Sequence, residues 1–169
     1  GLLVSVTTSA GENAGYVVGD TGVCLNNMLG EADLHPQGFH RWPGGARLHT
    51  MMTPAVVVKD EQPVLAVGSG GSNRIRSAIL QVLSNVIDFN LPLDLAVNAP
   101  RIHFEQGVLQ AEGGISAAAV QSLRDWGYVV NHWPDRNMFF GGAHAVGLQD
   151  GELAPAGDAR RGGSTALVR

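Results

Sequence analysis

Residues 2–9 (Leu-Leu-Val-Ser-Val-Thr-Thr-Ser) alternate apolar and polar positions and are rich in β-branched side chains, the period-two signature of a strand. The alternation is already under way at Leu2, with no turn or cap before it and no initiator Met. Residue 1 therefore reads as a processed or internal start rather than a gene start. Residues 10–15 form a loop. Tyr16–Val18 and Val23–Leu25 are short apolar runs on either side of Gly19-Asp20-Thr21-Gly22, which predicts strand, turn, strand. From Asn26 to Leu48 the pattern lapses. So long an irregular stretch inside a compact domain usually serves as a lid or binding loop.

Pro54–Lys59 and Val64–Gly68 read as strands around a turn at Asp60–Pro63. The second runs through Gly68-Ser69-Gly70-Gly71-Ser72-Asn73-Arg74 straight into a helix. Ile75, Ile79, Val82, Leu83, Val86 and Ile87 follow the spacing of one helical stripe. Ala78 and Leu80 widen it, so this helix is expected to be largely buried, ending near Asp88-Phe89-Asn90. A short helix fits Leu93–Asn98, stopped by Pro100. Arg101–Phe104 and Val108–Ala111 read as a strand pair, and Ser116–Trp126 as a second amphipathic helix ended by Gly127. Tyr128–His132 and Ala143–Leu148 are predicted strands, Asp150-Gly151 a hairpin-type turn, Ala156–Gly163 a loop and Ser164–Val168 a last strand. No repeat or linker divides the chain, so residues 1–169 are expected to form one domain. Strands at both ends with helices between them predict a layered α/β or α+β fold.

Composition narrows the function classes. Of 169 residues 44% are hydrophobic and only 15% charged, which excludes a disordered charged tail. The net charge is −4, aromatics are 6%, and Arg160-Arg161 is the only basic cluster, so no nucleic-acid footprint is present. The single cysteine, Cys24, excludes an intrachain disulfide. No apolar run reaches membrane-spanning length. Six histidines stand at no metal-ligand spacing, so no metal or cofactor is expected.

The strongest local signal is the glycine-rich turn at 68–74. A strand-to-helix turn of this kind points several backbone N–H groups at one place, at the positive end of a helix dipole. It can hold a phosphate, a carboxylate or a developing oxyanion, although it lacks the lysine and spacing of a P-loop. The alternative is a plain tight turn in which Ser72 or Asn73 caps the helix. Thr7, Thr8 and Ser9 cluster hydroxyls at the end of the first strand. Asn26, Asn27 and Glu31 form a polar run that reads either as a turn or as a ligand-facing loop.

Taken in order, these segments resemble the small subunit of the gamma-glutamyltranspeptidases. The resemblance is carried by Val6-Thr7-Thr8-Ser9, Gly15-Tyr16-Val17-Val18, Leu25-Asn26-Asn27-Met28 and Leu48-His49-Thr50-Met51-Met52-Thr53-Pro54. It continues through the glycine turn at 68–74, Leu80-Gln81-Val82, Ala99-Pro100-Arg101-Ile102-His103 and Gly157-Asp158-Ala159-Arg160-Arg161-Gly162-Gly163. It spans nearly the whole chain.

The resemblance implies an α+β N-terminal-nucleophile hydrolase, an αββα sandwich of which this chain is the small-subunit portion. A precursor that cleaves itself would expose an N-terminal threonine. This threonine would attack a gamma-glutamyl amide and pass the acyl group to water or an amino acid. By the same resemblance Gly70 and Gly71 donate to the oxyanion, with Ser72 able to share that role, and Ser9 lies beside the nucleophile's amine. The loop with Asn27 and Glu31 reads the substrate's α-ammonium, and His49 and Thr50 its α-carboxylate. The implied partners are a large subunit from the same precursor, which supplies an arginine, and a small gamma-glutamyl substrate, with no nucleic acid. An exported, periplasmic or extracellular location is implied too.

The departures concern substrate more than family. The nucleophile and its Thr-Thr-His-like strand would precede Gly1. Met28 replaces a polar residue, Met51-Met52 looks one residue longer than the usual pattern, and His49 replaces a serine. The alternatives are a nucleophile-less homologue with a structural or binding role, or an acylase of the same fold acting on β-lactam side chains or poly-gamma-glutamate.

Overall fold

The computed structural model describes residues 1–149 and 151–168. Its main sheet is built from β1 (Ala55–Lys59), β2 (Gln62–Gly70), β6 (Gly142–Gln149) and β7 (Glu152–Ala156), in the order β1-β2-β6-β7 and antiparallel throughout. Helices α1 (Arg74–Ile87) and α2 (Leu93–Asn98) pack on one face. The helical stripe drives this packing. Ile75, Ile79 and Val82 of α1 and Leu93 and Val97 of α2 join Leu65, Val67, Ala143 and Ala156 in one buried cluster, each large side chain contributing about 1.5–3 kcal/mol. Ala78 is buried as the pattern predicts. Leu80 instead faces outward, because it lies about 100° around the helix from Ile79, off the stripe.

A second sheet holds β3 (Ile102–Glu105), β4 (Val108–Ala111) and β5 (Val129–His132), with β4 and β5 parallel. Helix α3 (Ala117–Asp125) supplies the crossover. Ser116 caps it, its Oγ accepting from the Ala119 N–H at 3.2 Å, and Val120 packs on Leu109 and Ala111. The layering is the α+β arrangement expected.

Both chain ends differ from expectation. Residues 2–9 and 164–168 enter no ladder, and Tyr16–Val18 and Val23–Leu25 are joined only by an isolated bridge, Val17 to Cys24. Residues 4–8 lie across the exposed face of β2 and β6, beside residues 164–166, and the Ser5 Oγ donates to the Val67 carbonyl at 2.8 Å. The alternation survives in burial: Leu3, Ser5 and Thr7 turn inward, while Leu2, Val4 and Val6 are exposed. A strand's pattern can thus be present without a strand, since the ladder also needs a neighbour.

One strand was not foreseen. β7 contains Pro155, which argues against a central strand but is tolerated at a sheet edge, where β7 lies. β6 and β7 pair out to Gln149 and Glu152; Asp150 of the predicted turn lies outside the described residues. The stretch 26–48 stays irregular, with short 3-10 turns at Met28–Gly30 and Ala32–Leu34.

Candidate functional site

β2 carries the chain to Gly70, opposite Gly142 on β6. Past the ladder the chain turns through Gly71 (φ +130°) and Ser72 (φ +52°) into α1. The N–H groups of Arg74 and Ile75 bond back to the Gly71 and Ser72 carbonyls at 3.1 and 3.0 Å, while those of Gly71, Ser72 and Asn73 have no acceptor among the described residues.

Neither residue suited to cap α1 does so. Asn73 occupies the cap position without a side-chain cap hydrogen bond. Its Nδ2 donates to Glu105 Oε1 at 2.7 Å, and its Oδ1 accepts from Arg76 at 3.1 Å. The Ser72 Oγ donates to Asp33 Oδ2 at 2.7 Å. The capped-turn alternative is therefore overturned, and the positive end of a 14-residue helix stands open. Such a nest receives an anion or a developing oxyanion. The donors past the ladder without an acceptor among the described residues are those of Gly71, Ser72 and Asn73, whereas the expected pair was Gly70 and Gly71.

The turn opens on a cleft of about 770 Å³ that brings together Ser9, Gly70, Gly71, Ser72 and Glu31. Residue 11 explains how Glu31 gets there. A Cβ at Gly11 would lie 2.8 Å from Glu31 Oε1 and closer still to Asn27 Oδ1, at a φ of +60° that favours glycine. Bare backbone at this point lets the carboxylate lean over the chain. Asn27 is a brace rather than a wall of the cleft: its Oδ1 accepts from the Glu12 N–H at 2.8 Å. The Ser9 Oγ accepts from the Gly11 N–H at 3.0 Å, which fixes the hydroxyl at the cleft's edge.

His49 and Thr50 are not brought into this cleft. They line a neighbouring cavity of about 250 Å³ with Trp42 and Arg76. His49 packs edge-on against Trp42, ring centroids 5.5 Å apart, and the Thr50 Oγ1 accepts from the Met52 N–H at 3.3 Å. That cavity also reaches Asn73 and shares Asp33, Leu34 and Met51 with the cleft.

Several cleft residues escaped sequence reasoning. Asp33 is one. Arg161 is another, its Nη2 donating to the Met138 carbonyl at 3.1 Å while its guanidinium lines the cleft. All four methionines of the chain, Met28, Met51, Met52 and Met138, line it as well, giving one wall a polarizable, adaptable apolar surface. The only sequence signals were the Arg160-Arg161 pair and the unusual methionines at 28 and 51–52.

Behind the cleft lies a buried network of two arginines and two carboxylates. Asp158 meets Arg101 at 2.8 Å and Arg160 at 3.2 Å, and Arg160 meets Glu112 at 2.6 Å. Asp158 also accepts the N–H groups of Ala143 and Arg160, and Glu112 those of Arg101 and Asn137. The guanidinium groups donate to the Val97, Ala99 and Phe140 carbonyls. Burial works to raise Asp158, but Arg101 and the two backbone donors outweigh it, and its carboxyl sits below the usual range. Burial likewise opposes the charge on Arg160, but Glu112 and Asp158 hold its value above the ordinary one. This network fixes the chain from Phe140 to Ala143, and Gly71 rests against Gly141 within that stretch.

An α+β fold that delivers an uncapped helix end to this cleft presents an anion-receiving site. The chain belongs to the gamma-glutamyltranspeptidase family, whose pattern it matches over residues 1–168. It is 34% identical over 149 residues to the acylase ACY 1 proenzyme of Pseudomonas sp. (strain SE83), covering 88% of this chain and 26% of that protein. It is 30% identical over 169 residues to the glutathione hydrolase proenzyme of Bacillus subtilis (strain 168), covering 97% of this chain and 28% of that protein. The chain thus spans under a third of these relatives' length. The gamma-glutamyltranspeptidase of Pseudomonas nitroreducens complexed with L-DON superimposes with a TM-score of 0.81 at 26% identity, over 98% of this chain and 93% of that chain. Among the described residues no helix is long and apolar enough to cross a membrane, and no group of three or more His, Cys, Asp or Glu side chains is placed to hold a metal ion.

Proposed function

We propose that this chain is the acyl-holding part of an enzyme that cleaves gamma-glutamyl amides and passes the glutamyl group to water or an amino acid. A threonine N-terminal to Gly1 attacks the amide carbonyl, and its own α-amine takes the hydroxyl proton. The C–N bond breaks after that proton reaches the leaving amine, and an ester remains on the threonine. Water or an acceptor amine then attacks the ester, and the threonine hydroxyl is regenerated. Through the tetrahedral stages the negative oxygen takes the Gly71 and Ser72 N–H groups. Glu31 pairs with the substrate ammonium, Asn27 holds the neighbouring chain through the Glu12 N–H, and Ser9 holds the threonine's amine. A large subunit from the same precursor completes the site, and the chain by itself is inactive.

One observation carries this reading: the uncapped head of α1 opens onto the same cleft as the Glu31 carboxylate. The test is intact mass spectrometry of the complete protein, followed by hydrolysis of a gamma-glutamyl anilide. Two fragments, the lighter beginning with threonine, and anilide turnover are expected. An uncleaved or threonine-free chain would instead mean a nucleophile-less homologue with a binding role.

A second reading is supported by the exclusion of His49 and Thr50 from the cleft and by its methionine wall. A cleft without those α-carboxylate contacts suits an acylase acting on other acyl groups, such as β-lactam side chains. Turnover of acyl β-lactams with no action on the anilide would select it.

A further inference from the structure

The Ser72–Asp33 hydrogen bond joins two halves of the site that are 39 residues apart in the chain. One half is the turn with the free N–H donors, and the other is the 28–34 segment that carries Glu31. Ser72 needs such a restraint. It sits at φ +52°, a left-handed conformation that a residue with a Cβ disfavours and glycine adopts freely. Residue 72 must hold this conformation for its own N–H and that of Gly71 to stay off the helix and open to the cleft. No other side-chain hydrogen bond holds the Ser72 hydroxyl among the described residues, and the neighbouring Asn73 is tied instead to Glu105 and Arg76.

We propose that Asp33 is a positioning residue: by accepting from the Ser72 hydroxyl it holds Ser72 in its left-handed conformation and so aims the Gly71 and Ser72 N–H groups at the reacting oxygen. The inference rests on the acyl-transfer reading above. Asp33 touches no reacting atom in this scheme. Its effect falls on the transition state, where oxyanion donors act, rather than on ground-state binding.

The experiment is a double-mutant cycle on the complete, processed protein, with the gamma-glutamyl anilide as substrate and thermal melts as the check on folding. Asp33→Ala should lower kcat by about tenfold with KM little changed. Asp33→Asn, which keeps an amide oxygen as acceptor and is close in shape, should lose less than Asp33→Ala. Ser72→Gly keeps the N–H and adopts the left-handed conformation unaided, so in that background Asp33→Ala should have no further effect on kcat. Because Ser72→Gly removes the same hydrogen bond, a merely structural anchoring of the 28–34 segment would leave that variant as impaired as Asp33→Ala, whereas here Ser72→Gly should keep a clearly higher kcat than Asp33→Ala. Equal losses from Asp33→Ala with and without Ser72→Gly would overturn the proposal, as would an effect confined to KM. If the unmutated complete protein does not turn over the anilide, the acyl-transfer reading fails first. That outcome is distinct from an active enzyme indifferent to Asp33.

Discussion

Arg160 meets Glu112 through two parallel hydrogen bonds, Nε to Oε1 at 2.8 Å and Nη2 to Oε2 at 2.6 Å, with both side chains fully buried. The pair closes a network that balances two arginines against two carboxylates. Replacing both members of such a pair with apolar groups can be neutral, but removing one strands the other. Glu112→Ala leaves Arg160 half-paired and the Arg101 and Asn137 N–H groups without acceptors. It should cost about 3–5 kcal/mol, read as a lower urea midpoint of the complete protein. An unchanged midpoint would mean the network is not continuously formed.

Stability should also fall in two steps on acidification. Burial pushes the His103 imidazole below its usual value, Glu105 opposing and Arg74 adding to the shift. The fold therefore favours neutral His103. That contribution is complete above the unfolded value of about 6.5 and is lost as pH falls through the lower folded value. Asp158, also depressed, contributes fully above the unfolded carboxyl value of about 3.9 and loses its contribution as pH falls below that. Urea midpoints from pH 7.5 to 3 should decline first below about pH 6.5. His103→Gln should flatten that first decline and leave the second.

The apolar residues of the first 30 positions predict how the chain behaves without a partner. Leu2, Val6 and Leu29 are 91, 75 and 71% exposed, and Tyr16, Val17, Val18 and Val23 lie open as well. With the unpaired backbone of residues 2–9, these exposed side chains leave apolar area and strand edge uncovered, which the large subunit of the proposed enzyme would cover. Expressed alone, residues 1–169 should aggregate or melt without a cooperative transition. Co-expression with the large subunit should yield a stable complex. A monodisperse monomer with a sharp melt would contradict this.

These contrasts mark how far the sequence could be read. The three helices and the central strands were legible because their apolar spacing is completed by their own chain, as with Ile75, Ile79 and Val82 against Leu65 and Val67. Residues 2–9 carried the pattern of a strand without the ladder, since alternation does not supply a neighbour. Pro155 hid β7 because its tolerance depends on an edge position that no local window reveals. Ser9, Glu31 and the glycine turn, singled out by residue type and order, line one cleft, and their roles there belong to the proposal. The Asp33–Ser72 tie and the network of Arg101, Glu112, Asp158 and Arg160 were not legible, because both are made between residues distant in sequence. His49 and Thr50, expected in the same site, line a neighbouring cavity with Trp42, a placement that no local pattern shows.

Gly71 allows a sharp test of the turn. A Cβ there would lie 2.8 Å from the Gly141 Cα, at a φ of +130°. Gly71→Ala must therefore shift the turn off Gly141 and the donors off the reacting oxygen. Loss of one oxyanion donor costs about 10²–10³ in kcat. A fall of that size in anilide turnover, together with a lowered melt from the strain at residue 71, is the expected outcome. A variant of ordinary kcat would remove the turn from the mechanism.

In the proposed acyl-transfer reading, Glu31 sets which acyl group the cleft accepts. Its carboxylate leans over Gly11 and, in the gamma-glutamyl reading, pairs with the substrate ammonium. Glu31→Gln keeps the shape and removes the charge. For a gamma-glutamyl anilide, kcat/KM should fall about 10- to 100-fold, mostly through KM, since the lost pair acts in ground state and transition state alike. A glutaryl anilide has the same carbon chain without the ammonium and gives the internal control. Its turnover should start lower and change little, because there is no cation to lose. If instead both substrates decline together, Glu31 shapes the loop rather than reads the ammonium. If the glutaryl substrate is preferred from the outset, the methionine-walled cleft belongs to an acylase, and the carboxylate over Gly11 has some other partner.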